Sequence, residues 1–374
     1  MDFGLTETQE LLLRSAREFL SERCKPSHVR AMAQDERGYA PDFWRDVARL
    51  GWTGTLVPEQ HGGAGLTFAD MAPLLEEWGA HLAPGPLVES SVVSALVISQ
   101  FGDRHQKEQF LSRIADGSRV VVPALLGREG DWANIGSGVT ARRTGDVWTL
   151  TGESMSVHYA GPASDLLVLA REAGSGNCMV LLAEANATSH MTRTALKSSA
   201  GIHSCLVEFN EATARDEDAI GGPEGGGAIA DLALRYGAAA RALQMAGAAR
   251  RVLDMTVKYV SGRKQFGRPL GSFQAIQHRL AEAATRLQGA RHLAYQAAWS
   301  LAEGRPSARE VALAKLTASE LLPQVCSLAH QCHGAIGFTW EHGLHLYTRH
   351  AIAWQPDYGG AAFHREALAR TMGL

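Results

Sequence analysis

The sequence predicts an α+β protein in three stretches, and three observations predict it. Apolar residues recur at helical spacing from Leu5 to about Gly117, alternate with a period of two between about Val120 and Gly222, and return to helical spacing beyond the glycine-rich break Gly221–Gly227. The expected organisation is a helical amino-terminal domain (1–119), a small middle β-domain (120–225) and a carboxy-terminal helical bundle (226–374).

In the first stretch, Thr6-Glu7-Thr8-Gln9 is a capping sequence, and Leu11, Leu12, Ala16, Phe19 and Leu20 then form one apolar stripe. Asp42-Phe43-Trp44 leads a second helix that stops at Gly51. The run Pro58 to Gly65 is dense in turn formers and precedes a helix through Met71, Leu74, Leu75 and Trp78. In the middle, Val139, Ala141, Val147, Thr149 and Thr151 alternate with polar neighbours around a tight turn at Thr144-Gly145-Asp146. The runs from Asp165 and Cys178 read as buried strands, and Asn186-Ala187-Thr188 as a turn. In the last stretch the alanines from Ala238 to Ala249 give a helix with a small-residue surface, expected to meet another helix or another subunit. Helices over Ser272–Ala284, Arg309–Glu320 and Pro323–Cys332 continue the bundle.

Composition excludes several classes. With 36 basic against 39 acidic residues, nothing favours nucleic acid, whose phosphates demand concentrated Lys and Arg. Five scattered cysteines without a C-x-x-C pair argue against a disulfide framework or a zinc-thiolate site. No secretory leader and no long apolar run are visible, so a cytoplasmic protein without a membrane span is expected.

The most specific signal is the run Arg263-Lys264-Gln265-Phe266-Gly267-Arg268-Pro269-Leu270, followed by Phe273-Gln274 and later by Gln331-Cys332-His333-Gly334-Ala335-Ile336-Gly337. These motifs resemble the carboxy-terminal half of flavin-dependent acyl-CoA dehydrogenases. Gly51-Trp52 followed by Pro58-Glu59 and Gly62-Gly63 resembles their helical amino-terminal domain. The resemblance implies FAD, shared across a subunit interface. A dinucleotide carries two phosphates and an adenine, which suit the guanidinium fork of Arg263, the ring of Phe266, the amides of Gln265, Gln274 and Gln331, and the bare backbone of Gly334. Ala335 stands where the family usually has a second glycine.

The family's proton-abstracting glutamate is not where the resemblance expects it. One of its two family positions corresponds here to Gly237, which has no side chain. The other falls in Pro356-Asp357-Tyr358-Gly359-Gly360, where Asp357 is the nearby carboxylate able to take a proton, one methylene shorter than glutamate. The β-domain differs as well: Leu126 to Asp131 replaces the family's loop beside the flavin, and Ser156 and His158 replace its tryptophan and hydroxyl residue. Glu341, His342, His345 and His350 are close in sequence but lack metal-site spacing, so no metal is expected.

The resemblance therefore implies the auxiliary subunit of a heteromeric acyl-CoA dehydrogenase, resembling paired subunits of bacterial steroid side-chain catabolism and expected to form a heterotetramer. A catalytic partner subunit would supply the glutamate, acyl-CoA would be α,β-desaturated, and an electron-transferring flavoprotein would accept the electrons. The alternatives are a homomeric flavoenzyme using Asp357 as base, and a non-enzymatic scaffold that binds CoA thioesters.

Overall fold

Thr6 starts the first helix, α1 (Glu7–Arg23), by accepting from the Gln9 amide while the Gln9 side chain accepts from the Thr6 amide. That reciprocal pairing satisfies donors which a helix start otherwise leaves over. The computed structural model describes residues 4–185, 190–222 and 224–373, so the Asn186-Ala187-Thr188 turn and Pro223 of the glycine-rich break lie outside the described residues. Next come α2 (Pro26–Met32), α3 (Pro41–Arg49) with Phe43, Trp44 and Val47 buried, and α4 (Phe68–Ala80), buried along nearly its whole length. A π-helical segment, Leu87–Ser94, runs into α5 (Ala95–Phe101), and α6 (Arg104–Ala115) begins at a second capping box, Asp103 with Gln106.

The strands are β1 (Val121–Ala124), β2 (Val139–Thr144), β3 (Val147–His158), β4 (Asp165–Glu172), β5 (Cys178–Glu184), β6 (Met191–Leu196), β7 (Ser204–Arg215) and β8 (Ala219–Ile220). They form one sheet in the order β6-β7-β3-β2-β4-β5-β8, with β1 parallel to β4. The β2–β3 hairpin turns at Gly145-Asp146, where Gly145 takes a φ of +64°. β4 and β5 pair antiparallel and are buried through their centres, which is why they read as continuous apolar runs.

Long helices follow: α7 (Gly226–Gly262), the short hairpin β9 (Lys264–Gln265) and β10 (Arg268–Pro269), then α8 (Gln274–Ala302), α9 (Ala308–His333), α10 (Leu344–Trp354) and α11 (Ala361–Thr371). The chain groups into two compact units, each built from separated stretches. One unit comprises Met1–Arg30, Phe68–Ala83 and Ala238–Leu374; the other comprises Ala31–Thr67 and Pro84–Gly237.

Within the first unit, α4 and α7 touch backbone to backbone. A Cβ added to Gly247 would lie 1.8 Å from the Glu76 carbonyl oxygen, and one added to Gly79 would lie 1.9 Å from that of Gln244. The small-residue surface from Ala238 to Ala249 is thus covered inside this chain rather than kept for another subunit. Beside this contact the buried carboxylate of Glu76 accepts from Arg250, Arg291 and Tyr295, and that of Glu77 from Arg17 and Arg250.

The break expected between Glu320 and Pro323 does not occur, because α9 runs through Pro323. Proline at this position leaves the Ser319 carbonyl without its usual helical donor. The Gln355 side-chain amide donates to that oxygen at 2.9 Å. Pro73 inside α4 is accommodated in the same manner, with the Gln9 side-chain amide donating to the Ala69 carbonyl at 3.0 Å.

Candidate functional site

The sequence-predicted flavin residues fall at one end of the first unit. α7 ends at Gly262, and the Leu270 amide donates to the Arg263 carbonyl, closing a two-strand hairpin whose tip is Phe266-Gly267. Both tip residues are left-handed, with φ of +54° and +79°, the geometry a two-residue hairpin turn requires. For phenylalanine that conformation is strained, and it sets the ring out in solvent at 90% exposure. Phe266 meets Phe273 edge to face, and the Arg268 guanidinium lies 4.0 Å from the Phe273 ring centre, so the hairpin is braced at its base. Arg263, Gln265 and Gln274 are all exposed beside it.

The second motif closes α9. Gln331, Gly334 and Ala335 are exposed, and Gly334 caps the helix with a φ of +62° while its amide donates to the His330 carbonyl. A Cβ at Gly334 would meet no atom within 4 Å, so glycine is needed there for its backbone conformation and open face. Tyr259 at the end of α7 stacks on His333 at the end of α9, with ring centres 4.2 Å apart. This contact brings the Arg263 hairpin and the Gln331–Ala335 segment to the same end of the unit. Gln331 also lines a groove of about 350 Å³ between α8 and α9, together with Arg279 and Arg286.

Histidines surround the second motif without gathering as ligands. His342 packs edge-on against His333, His345 stacks on Trp340, and His350 packs against Trp354 while bonding to the Leu346 carbonyl. Among the described residues no group of three or more His, Cys, Asp or Glu side chains is placed to hold a metal ion. Burial and the neighbouring His342 and His330 push the His333 imidazole down to about 4.

Asp357 lies in the turn between α10 and α11, and its carboxylate is engaged. The Arg241 guanidinium stands 3.1 Å from Asp357 Oδ2, with both side chains nearly buried. Arg241 also donates to Gln244 Oε1 at 2.5 Å and lies over the Trp354 ring. The sequence reading missed Arg241, which sits among alanines one helical turn beyond Gly237. It also missed Lys315, fully buried on α9, which donates to the Gln355 and Gly359 carbonyls at 2.9 and 3.0 Å. Gly237 is buried within α7.

In the second unit, β3 slips register between Ser154 and Val157, and Ser156 and Tyr159 both take a φ of +55°. This strained stretch directs His158 onto Glu89 of the π-helical segment, Nδ1 to Oε1 at 3.2 Å, with Glu89 buried and His158 largely covered. π-Helical turns and left-handed non-glycine residues concentrate at functional sites, and they meet here.

A helical amino-terminal part, a central sheet and long carboxy-terminal helices define the class of fold: that of the acyl-CoA dehydrogenases. The family model for the acyl-CoA dehydrogenase N-terminal domain matches residues 6–118, and that for the C-terminal domain matches residues 224–373. The chain therefore belongs to the acyl-CoA dehydrogenase family of flavoprotein oxidoreductases. It is 29% identical to acyl-CoA dehydrogenase FadE27 of Mycobacterium tuberculosis, over 100% of this chain and 99% of that protein. It is 30% identical to acyl-CoA dehydrogenase IpdE2 of Mycolicibacterium smegmatis, over 93% of each. Among solved structures, the ChsE4-ChsE5 complex from Mycobacterium tuberculosis matches with a TM-score of 0.92 and 29% identity, over 100% of this chain and 99% of that one.

Proposed function

We propose that this chain is the auxiliary subunit of a heteromeric acyl-CoA dehydrogenase and completes the FAD site of a catalytic partner. The observation that carries the reading is an asymmetry. Arg263, Gln265, Phe266, Gln274, Gln331, Gly334 and Ala335 stand in solvent at one end of the first unit, whereas at the two places for a proton acceptor Gly237 offers no side chain and Asp357 is held by Arg241.

The exposed donor set suits a dinucleotide. Arg263 would hold phosphate oxygens, the glutamine amides would offer donors and acceptors to ribose and phosphate, Phe266 would offer a flat ring to the adenine, and Gly334 would let backbone approach. Bound there, FAD supplies hydride acceptance. The chain's own residues would hold its adenosine end, while the partner would remove the proton from Cα. Phe266, Ile336, Phe338 and Trp340 are exposed near these residues and give the partner an apolar surface to cover.

The likeness to a chain of the ChsE4-ChsE5 complex supports a heteromeric assembly, a heterotetramer in this reading, and the likeness to the Tcur3481-Tcur3483 steroid ACAD, at 29% identity and a TM-score of 0.87, supports a steroid acyl-CoA as substrate class. Electrons pass to an electron-transferring flavoprotein. No helix among the described residues is long and apolar enough to cross a membrane.

Co-expression with a glutamate-bearing acyl-CoA dehydrogenase subunit from the same organism tests the reading. The expected result is a yellow complex that oxidises acyl-CoA, with neither subunit active alone. A yellow homomer of this chain that oxidises acyl-CoA overturns it in favour of Asp357 as base, and a colourless homomer that binds CoA thioesters overturns it in favour of a scaffold.

A further inference from the structure

Lys315 is out of place by the ordinary rules of burial. The chain has six lysines among its 36 basic residues, and the other five are exposed or half-buried. Lys315 alone among them is fully buried, with its ammonium donating to Ser319 Oγ at 3.0 Å and to the carbonyls of Trp354, Gln355 and Gly359 at 3.3, 2.9 and 3.0 Å. Two of these acceptors, Gln355 and Gly359, belong to the turn that leads from α10 to α11, and Trp354 is the last residue of α10. The same turn holds Tyr358 and Gly359 in left-handed conformations, with φ of +52° and +94°. A lysine amine suits the task because its protons point in three directions, whereas a planar guanidinium fork serves acceptors lying in one plane.

We propose that Lys315 is the positioning residue of the 354–360 turn: by converging on the Trp354, Gln355 and Gly359 carbonyls it fixes where Asp357 and Tyr358 are presented. The assignment does not depend on FAD or on a partner subunit. It concerns the shape of the segment, whether Asp357 serves as a base or is retired against Arg241.

The electrostatic setting makes the role measurable. Burial disfavours the ammonium, Asp357 from the turn favours it, and Arg241 from α7 disfavours it, which together bring Lys315 down to about 7 from an ordinary 10.5. His364 of α11 bonds to the Tyr358 carbonyl and is held near 4, and His350 of α10 is likewise held near 4, so neither titrates at neutral pH and above. When the turn opens, Lys315 reaches water and regains its ordinary basicity. The closed turn therefore binds fewer protons than the open one between about 7 and 10.5. Raising the pH across that window closes the turn, whereas below it the balance is level.

Hydrogen–deuterium exchange of the peptide spanning 354–361, corrected for intrinsic rates, reads the opening constant directly. In the wild-type chain this constant should be level below pH 7 and should fall about tenfold per pH unit above it. Lys315→Met, close in volume but without donors, should raise opening at pH 9 at least about tenfold and flatten the profile. Lys315→Arg should also give a flat profile, because arginine does not titrate there. Wild-type exchange in Lys315→Met overturns the assignment. If that variant does not fold, a flat wild-type profile overturns it. Either failure leaves the shared-FAD proposal standing, since flavin retention by the complex is scored separately.

Discussion

Arg263 and Asp357 make opposite demands of a substitution. Arg263 is exposed and braced only through its backbone, so Arg263→Ala should leave the fold intact while loosening FAD in the complex roughly ten- to hundred-fold, the range of one charge-assisted phosphate contact. Fluorescence of released flavin measures it, and unchanged retention would remove Arg263 from the site. Asp357 is nearly buried against Arg241, so Asp357→Asn leaves a buried cation poorly balanced and should cost about 3 kcal/mol of stability. Acyl-CoA oxidation by the complex should survive that change at temperatures where the variant is folded. Loss of turnover with the melting temperature unchanged would make Asp357 the base instead. The Arg263, Gln265 and Phe266 motif stands out in the sequence because its order is specific, whereas Arg241 and Lys315 do not stand out. A single cation in an alanine-rich helix reads as a solvated charge, and only tertiary packing tells otherwise.

At the scale of elements, two prolines inside helices share one solution. Pro323 and Pro73 each leave a carbonyl bare, and a glutamine remote in sequence donates to it: Gln355 to Ser319 and Gln9 to Ala69. Gln355→Leu should therefore destabilise by about 1 to 2 kcal/mol, and more than the same change at an exposed glutamine such as Gln274, by chemical denaturation. Equal losses at the two positions would mean that the Ser319 carbonyl finds water instead. Local rules make proline a breaker, so the sequence predicts a break between Glu320 and a new helix starting at Pro323. The compensation comes from beyond α9, and no window along the chain contains both partners. By contrast, the Thr6–Gln9 cap and the Gly145-Asp146 turn are local chemistry, and both form where expected.

For the molecule as a whole, the order of helical and strand regions could be read from the change of apolar period. The strand order β6-β7-β3-β2-β4-β5-β8 and the assembly of one unit from three distant stretches could not, since both are decided by pairing across long separations. The buried histidines give the molecule a defined response to acid. Burial holds His350 and His364 at about 4, whereas an unfolded chain takes up those protons near 6.5. Stability from these groups is complete above about 6.5 and is lost as pH falls toward 4, by up to about tenfold in the folded-to-unfolded ratio per pH unit for each histidine. Thermal melts between pH 7 and 4 should show a progressive fall that His364→Asn reduces. A melting temperature constant over that range would place both imidazoles in water.

The ring carried at the tip of the β9–β10 hairpin also bears on how cells must produce this protein. A phenylalanine held at 90% exposure by a strained backbone is a surface that invites unsuitable company until its proper cover arrives. In the proposed heteromer, synthesis in excess of that cover would leave copies prone to clumping, so matched output of two polypeptides, as from one message, is the arrangement this hairpin would call for.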